Sequence, residues 1–247
     1  LFEGLAISKN TELCKKWMNR CPVVFFSFKD TDGLTFESAY GMLCMKLAFA
    51  FQDYQFLLDD DAISDDDKGI FKRILGRTAS MDETKSCFLL LTRMLEIHFK
   101  KSAVVILDEY DVPIAKASSN GYYSQMLDVM RAMMSTTLKD NTSLDFAVVT
   151  GCLKIAKESI FTGTNNFVSD TILSPRLSES FGFTQADVDQ MLKDAGLESQ
   201  SAEIKAWYDG YHFGDADIYC PWDVISYLRD FQYGVAQKPK SYWKNTS

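Results

Sequence analysis

Histidine is nearly missing from this chain. The 2 residues among 247 are too few and too far apart for a Ser-His-Asp or Cys-His catalytic arrangement. Cysteine is present but unpatterned: Cys14, Cys21, Cys44, Cys87, Cys152 and Cys220 include no C-x-x-C pair. Neither a metal-ligand spacing nor a small disulfide scaffold follows, and reduced thiols in a cytoplasmic protein are the simpler expectation. No run approaches the ~18 consecutive apolar residues of a membrane span, so no membrane association is expected. A G-x-x-x-x-G-K-[ST] segment occurs nowhere in the sequence. The backbone cradle that such a segment gives to nucleotide phosphates is therefore not encoded in these residues. Basic charge is also short. A formal net charge of -8 disfavours an electrostatic grip on nucleic acid or anionic lipid. The opening Leu1-Phe2-Glu3-Gly4 has neither Met nor a basic-then-apolar signal pattern, so the chain reads as the interior of a longer protein.

What remains is an ordinary globular composition, 47% hydrophobic and 24% charged, with 18 Phe, 11 Tyr and 4 Trp that argue against disorder. Its most informative stretch is Ala103-Val104-Val105-Ile106-Leu107-Asp108-Glu109-Tyr110-Asp111. The apolar half suits a strand buried on both faces by helices. The acidic half suits the carboxyl end of such a strand, where carboxylates hold magnesium and orient water in polyphosphate sites. Pro22–Phe28 and Leu144–Gly151 contain two further continuous apolar runs of strand length.

Helical spacing fills the intervals. Thr35 to about Leu58 carries Phe36, Tyr40, Leu43, Leu47, Ala50 and Tyr54 on one stripe. Ser80 and Glu83 form a capping box ahead of Phe88, Leu91, Leu95 and Phe99, which predicts one helix over Met81–Phe99. Gly121 to Leu138 is expected to be helical too. The acidic stretches Asp59–Asp61 and Asp65–Asp67 are expected to form a solvated turn, because Ile63 breaks the ligand pattern of a calcium loop. Crossovers of this length imply right-handed connections and a parallel sheet. Beyond Ser174-Pro175 the pattern becomes helical: Thr184 to Ala195 with Gly196 as its stop, then about Glu203–Tyr208 and Trp222–Phe231. The aromatic-dense Trp207–Gly214 is expected to be a compact turn. The domains expected are 1–178, an α/β core, and 179–247, a helical subdomain.

Asp108 is the candidate magnesium-holding carboxylate, commonly acting through water. Glu109 is the candidate for polarising the attacking water. A strand ending in polar turn residues is the bland alternative for both. Thr150 ends the following strand, where its hydroxyl suits a sensor of phosphate or water, or simply a local turn. Lys154 is a candidate anion contact or a solvated lysine. Arg176 is a candidate phosphate contact or an ion-pair partner of Glu179.

Taken in order, Pro22–Asp30, Val105–Ile114, Thr150–Phe161, Phe181–Thr184, Trp207–Tyr211 and Tyr242–Ser247 resemble the bacterial AAA-ATPase-like domain family over nearly the whole chain. The resemblance implies a P-loop NTPase-like parallel sheet flanked by helices, here incomplete at its N-terminus. It also implies a P-loop segment upstream of Leu1 and, often, a restriction-endonuclease-like domain downstream. Asp108 and Glu109 inherit the Walker B role, and Thr150 that of a sensor. The family commonly has Arg where Lys154 stands, so a guanidinium-specific role does not carry over. ATP and Mg²⁺ are expected cofactors of the parent protein. The present chain is expected to bind none and to be inactive alone, because the lysine and amide cradle is missing from its residues. The alternative is a non-catalytic scaffold or interaction domain derived from such an ATPase. Loss of the P-loop strand also leaves Phe146–Val149 with an open edge, to be covered by Asn166–Leu173, by upstream residues or by self-association.

Overall fold

The computed structural model of the chain describes residues 2–152, 160, 168–235 and 238–243. It divides into two compact units, Leu1–Asn165 and Asn166–Ser247. The boundary expected at 178 falls inside the second.

In the first unit, β1 (Val23–Ser27), β2 (Ala103–Asp108) and β3 (Leu144–Val149) make a parallel sheet in the order β1-β2-β3. Their register aligns Val24 with Val105 and Ala147, and Phe26 with Leu107 and Val149. A short helix, α1 (Thr11–Trp17), precedes the sheet. The first crossover holds α2 (Phe36–Gln52), α3 (Asp65–Leu75), α4 (Met81–Lys85) and α5 (Cys87–Phe99). The second holds α6 (Val112–Asn120) and α7 (Tyr123–Leu138). The α/β sheet expected from the apolar runs and long crossovers is therefore present.

Register partners in a parallel sheet share a face, so the two faces can be read separately. Val24, Phe26, Val105 and Leu107 are buried. The Phe26 ring meets Phe28 and Phe88 at 4.8 and 5.3 Å, which ties the strand to α5. On the opposite face Val23, Phe25, Phe146 and Val148 are 45, 57, 53 and 38% exposed. The expectation of strands buried on both faces is thus corrected: among the described residues, one face of β1 and β3 remains open. β3 is also an edge strand among the described residues. No strand is assigned within the described part of Asn166–Leu173, residues 168–173.

Several element boundaries differ from the spacing-based expectation for local reasons. The run expected to reach Leu58 stops at Gln52, and a 3-10 turn covers Gln55–Asp59. Ser86 divides the helix expected over Met81–Phe99, its hydroxyl donating to the Asp82 carbonyl at 2.9 Å. Such back-bonding offers the backbone an alternative to the helical ladder. Asp65–Asp67 is not a solvated turn but the first turn of α3, capped by Ser64. Carboxylates suit that end of the helix dipole, and the buried Asp67 also pairs with Arg93. Gly121, at φ 83°, ends α6 instead of starting α7.

The second unit contains α8 (Gln185–Ala195), α9 (Ser201–Tyr208), α10 (Pro221–Gln232) and an antiparallel hairpin of β4 (Asp209–Phe213) and β5 (Ala216–Tyr219). Thr184 and Asp187 form a reciprocal capping box for α8, and Gly196 closes it at φ 68°. Val188, Leu192, Ile204, Tyr208, Tyr219, Val224 and Tyr227 form its core. The region is helical as expected, but the supposed compact turn at Trp207–Gly214 contains the first strand of the hairpin.

Candidate functional site at the carboxyl edge of the sheet

Strand β2 delivers Asp108 to the carboxyl edge, where hydrogen bonds continue the sheet past the regular strands. The Phe28 N–H donates to the Asp108 carbonyl at 2.8 Å. Thr150 N–H donates to the Leu107 carbonyl at 2.9 Å, and Tyr110 N–H returns the bond to the Thr150 carbonyl at 3.1 Å. These bonds fix three strand ends side by side.

Ser27 is the register partner of Asp108. One position beyond the pairing of Leu107 with Val149, Thr150 falls beside Asp108 on the other side. The result is a polar row, Ser27–Asp108–Thr150, across the sheet. It continues the open face that carries Phe25, Ile106 and Val148 two residues earlier in each strand. Thr150 Oγ1 lies 2.5 Å from Asp108 Oδ1, and Ser27 Oγ lies 3.3 Å from Oδ2. An ionised carboxylate accepts only, so both hydroxyls donate to it. A carboxylate has about four lone-pair positions; two hydroxyls leave room for further donors such as metal-bound water.

Glu109 follows in the left-handed region at φ 53°. It is therefore not the next residue of an extended strand; the chain has turned, and a bond from Val112 N–H to the Glu109 carbonyl at 3.1 Å closes the turn. Asp111 is buried, and its Oδ1 accepts the Cys152 N–H at 3.2 Å. This clamps the segment after β3 onto the segment after β2. Gly151 is needed for that approach: a Cβ there would stand 2.4 Å from Asp111 Oδ1 and 2.7 Å from Tyr110 Cε1. Space, not an unusual φ, excludes a side chain.

The oxygen-only donor set suits a hard cation. Among the described residues no group of three or more His, Cys, Asp or Glu is placed to hold a metal ion. An all-protein cage is therefore not what the row resembles. A single oriented carboxylate fits magnesium better, since that ion keeps several waters and takes other ligands from phosphate.

The sequence-derived candidates thus meet in part. Asp108 and Thr150 are in contact, with Glu109 at the adjoining turn. Lys154 lies outside the described residues. Arg176 belongs to the second unit, where its Nε donates to Asp170 Oδ2 at 3.1 Å. Asp170, not the expected Glu179, is its partner, and the guanidinium holds the Asp170 carboxyl below the usual carboxylate range. Sequence reasoning missed Ser27. A hydroxyl closing an apolar strand was the available signal, but its register with Asp108, 81 positions away, was not.

A family model described as Predicted AAA-ATPase matches residues 1–161. Among curated proteins, the chain is 28% identical over 178 residues to a protein of Azotobacter chroococcum mcd 1 named "Uncharacterized protein in vnfD 5'region". The alignment covers 72% of this chain and 33% of that relative, so the chain spans about a third of the relative's length. No solved structure matches.

Proposed function

We propose, for a chain that belongs to the AAA-ATPase-like family, that the carboxyl edge of its P-loop NTPase-like sheet is a magnesium-nucleotide site in the parent protein. The observation that carries this reading is the contact between Asp108 and Thr150 at the ends of adjacent parallel strands, at 2.5 Å. Asp108 would hold the hydrated cation through the lone pairs its two hydroxyl partners leave free. Bound there, magnesium would neutralise phosphate charge. Glu109 would accept a proton from water as the water oxygen bonds to the γ-phosphorus and the bond to the bridging oxygen breaks. Thr150 would donate to phosphate or to the attacking water.

Lys154 is a proposed phosphate contact, whereas Arg176, in the second unit, is engaged there by Asp170. The parent protein would combine this module with the upstream phosphate cradle and a downstream nuclease-like domain, in the cytoplasm. The chain by itself would bind MgATP weakly or not at all. A second reading, a scaffold or interaction domain derived from an ATPase, is favoured by the absence of G-x-x-x-x-G-K-[ST] from these 247 residues.

Replacing Glu109 by Gln in the full-length protein separates the two. The ATPase reading expects turnover to fall by roughly 10²–10⁴-fold, the range for loss of a general base, with nucleotide binding largely kept. Unchanged turnover would remove Glu109 from catalysis. A wild-type protein that neither binds nor hydrolyses nucleotide would favour the scaffold.

A further inference from the structure

We propose that Ser27 is a positioning residue for Asp108, holding one carboxylate oxygen so that Thr150 can transfer its hydroxyl from the other to a phosphate. The inference rests on the magnesium-nucleotide reading above. The Ser27 hydroxyl oxygen accepts the Lys29 backbone N–H at 3.3 Å. Its own proton is then directed to Asp108 Oδ2, also at 3.3 Å.

The Thr150 hydroxyl has one proton as well, and it is donated to Asp108 Oδ1 at 2.5 Å. A phosphate oxygen needs a donor. Thr150 cannot supply its proton to Oδ1 and to a phosphate together. Contact with phosphate therefore requires release of Asp108.

The two contacts differ in length. The Thr150 bond has the short spacing of a charge-assisted contact, whereas the Ser27 bond lies beyond the ordinary O–H···O range. When Thr150 leaves, Ser27 is the remaining side-chain donor to Asp108 among the described residues. It stands on β1, across β2 from Thr150 just past the end of β3, so it does not compete for the same phosphate. Its backbone is fixed by the pairing of Ser27 with Asp108 and by the bond from Phe28 N–H to the Asp108 carbonyl. A short side chain on a paired strand can tighten onto Oδ2 with little loss of freedom. Ser27 thus keeps Asp108 aimed while Thr150 changes partner.

The test compares wild type, Ser27→Ala, Ser27→Thr and Ser27→Cys in the full-length protein. Affinity for Mn²⁺, used as a spectroscopic stand-in for Mg²⁺, is measured with ATP present by electron paramagnetic resonance. ATP affinity in EDTA and thermal midpoint are the controls. Loss of an outer-shell partner lowers metal affinity by about 10–100-fold, so Ser27→Ala should weaken Mn²⁺ by about tenfold. ATP binding in EDTA should not change, and Ser27→Thr should regain most of the metal affinity. If Ser27→Ala fails to fold, Ser27→Cys, a similar shape with a weak donor, should show the same selective loss. Wild-type Mn²⁺ affinity in the folded non-hydroxyl variant would overturn the Ser27 role alone. So would equal losses in Ser27→Ala and Ser27→Thr. A wild-type protein that binds neither ATP nor Mn²⁺ would overturn the underlying site reading instead.

Discussion

Glu83 illustrates how one side chain both starts a helix and makes stability depend on acid. Arg73 Nε donates to its carboxylate at 3.0 Å, and Ser80 N–H donates at 2.8 Å. The guanidinium bond first, then the cap, bring the Glu83 carboxyl down to about 2. In the unfolded chain it titrates near ~4.3. A depressed folded value stabilises the protein above the unfolded value, and that contribution disappears as pH falls from about 4.3 to about 2. The pair is solvent-exposed, so the loss is small. Denaturation measured across this window should lose stability less steeply in Glu83→Gln than in wild type. Identical slopes would show that this pair contributes nothing measurable.

The capping box was legible because Ser80 and Glu83 are three positions apart. Arg73 was not, because its approach depends on how α3 meets α4. The same division separates the residues of the candidate site. Asp108, Glu109 and Thr150 could be nominated because each follows an apolar run. Ser27 and the clamp from Asp111 to Cys152 could not, because strand register and loop docking create them. Arg176 shows the opposite failure. Its charge was visible, but the neighbour that takes it was Asp170, on a preceding loop.

At the scale of elements, apolar runs identified three strands, and long crossovers made them parallel. They did not reveal which faces would be covered. Val23, Phe25, Phe146 and Val148 have the same composition as the buried side, yet remain substantially exposed. Helix breaks were obscured for a related reason: Ser86 preserves the apolar spacing while redirecting a backbone bond. The hairpin carries a readable signal in the sequence. Gly214-Asp215, with Gly214 at φ 55°, separates β4 from β5 by two residues, a length and composition suited to a tight hairpin. The aromatic density of Trp207–Phe213 competes with that signal, since it equally suits a compact packed turn.

An open edge strand beside an exposed apolar face favours association. The isolated chain should therefore show a rise in mean mass with concentration by light scattering. Phe146→Lys, on the edge strand β3, should reduce that rise, because a lysine at an edge opposes strand addition. A wild-type chain that remains monomeric at high concentration would contradict the expectation.

At the scale of the molecule, an acidic chain carries its candidate chemistry where three parallel strands end. The family was legible because its segments recur in order across distant parts of the sequence. The three-dimensional conjunction of Ser27, Asp108 and Thr150 was less accessible, since it depends on the register of all three strands. No helix among the described residues is long and apolar enough to cross a membrane. The central claim is that Asp108 links the cation to bound nucleotide. Calorimetric titration of full-length wild type and Asp108→Ala with ATP, with and without Mg²⁺, tests it most directly. The account predicts that Mg²⁺ strengthens ATP binding in wild type and that Asp108→Ala removes that gain while leaving metal-free binding nearly intact. An equal Mg²⁺-dependent gain in a folded Asp108→Ala protein would contradict it.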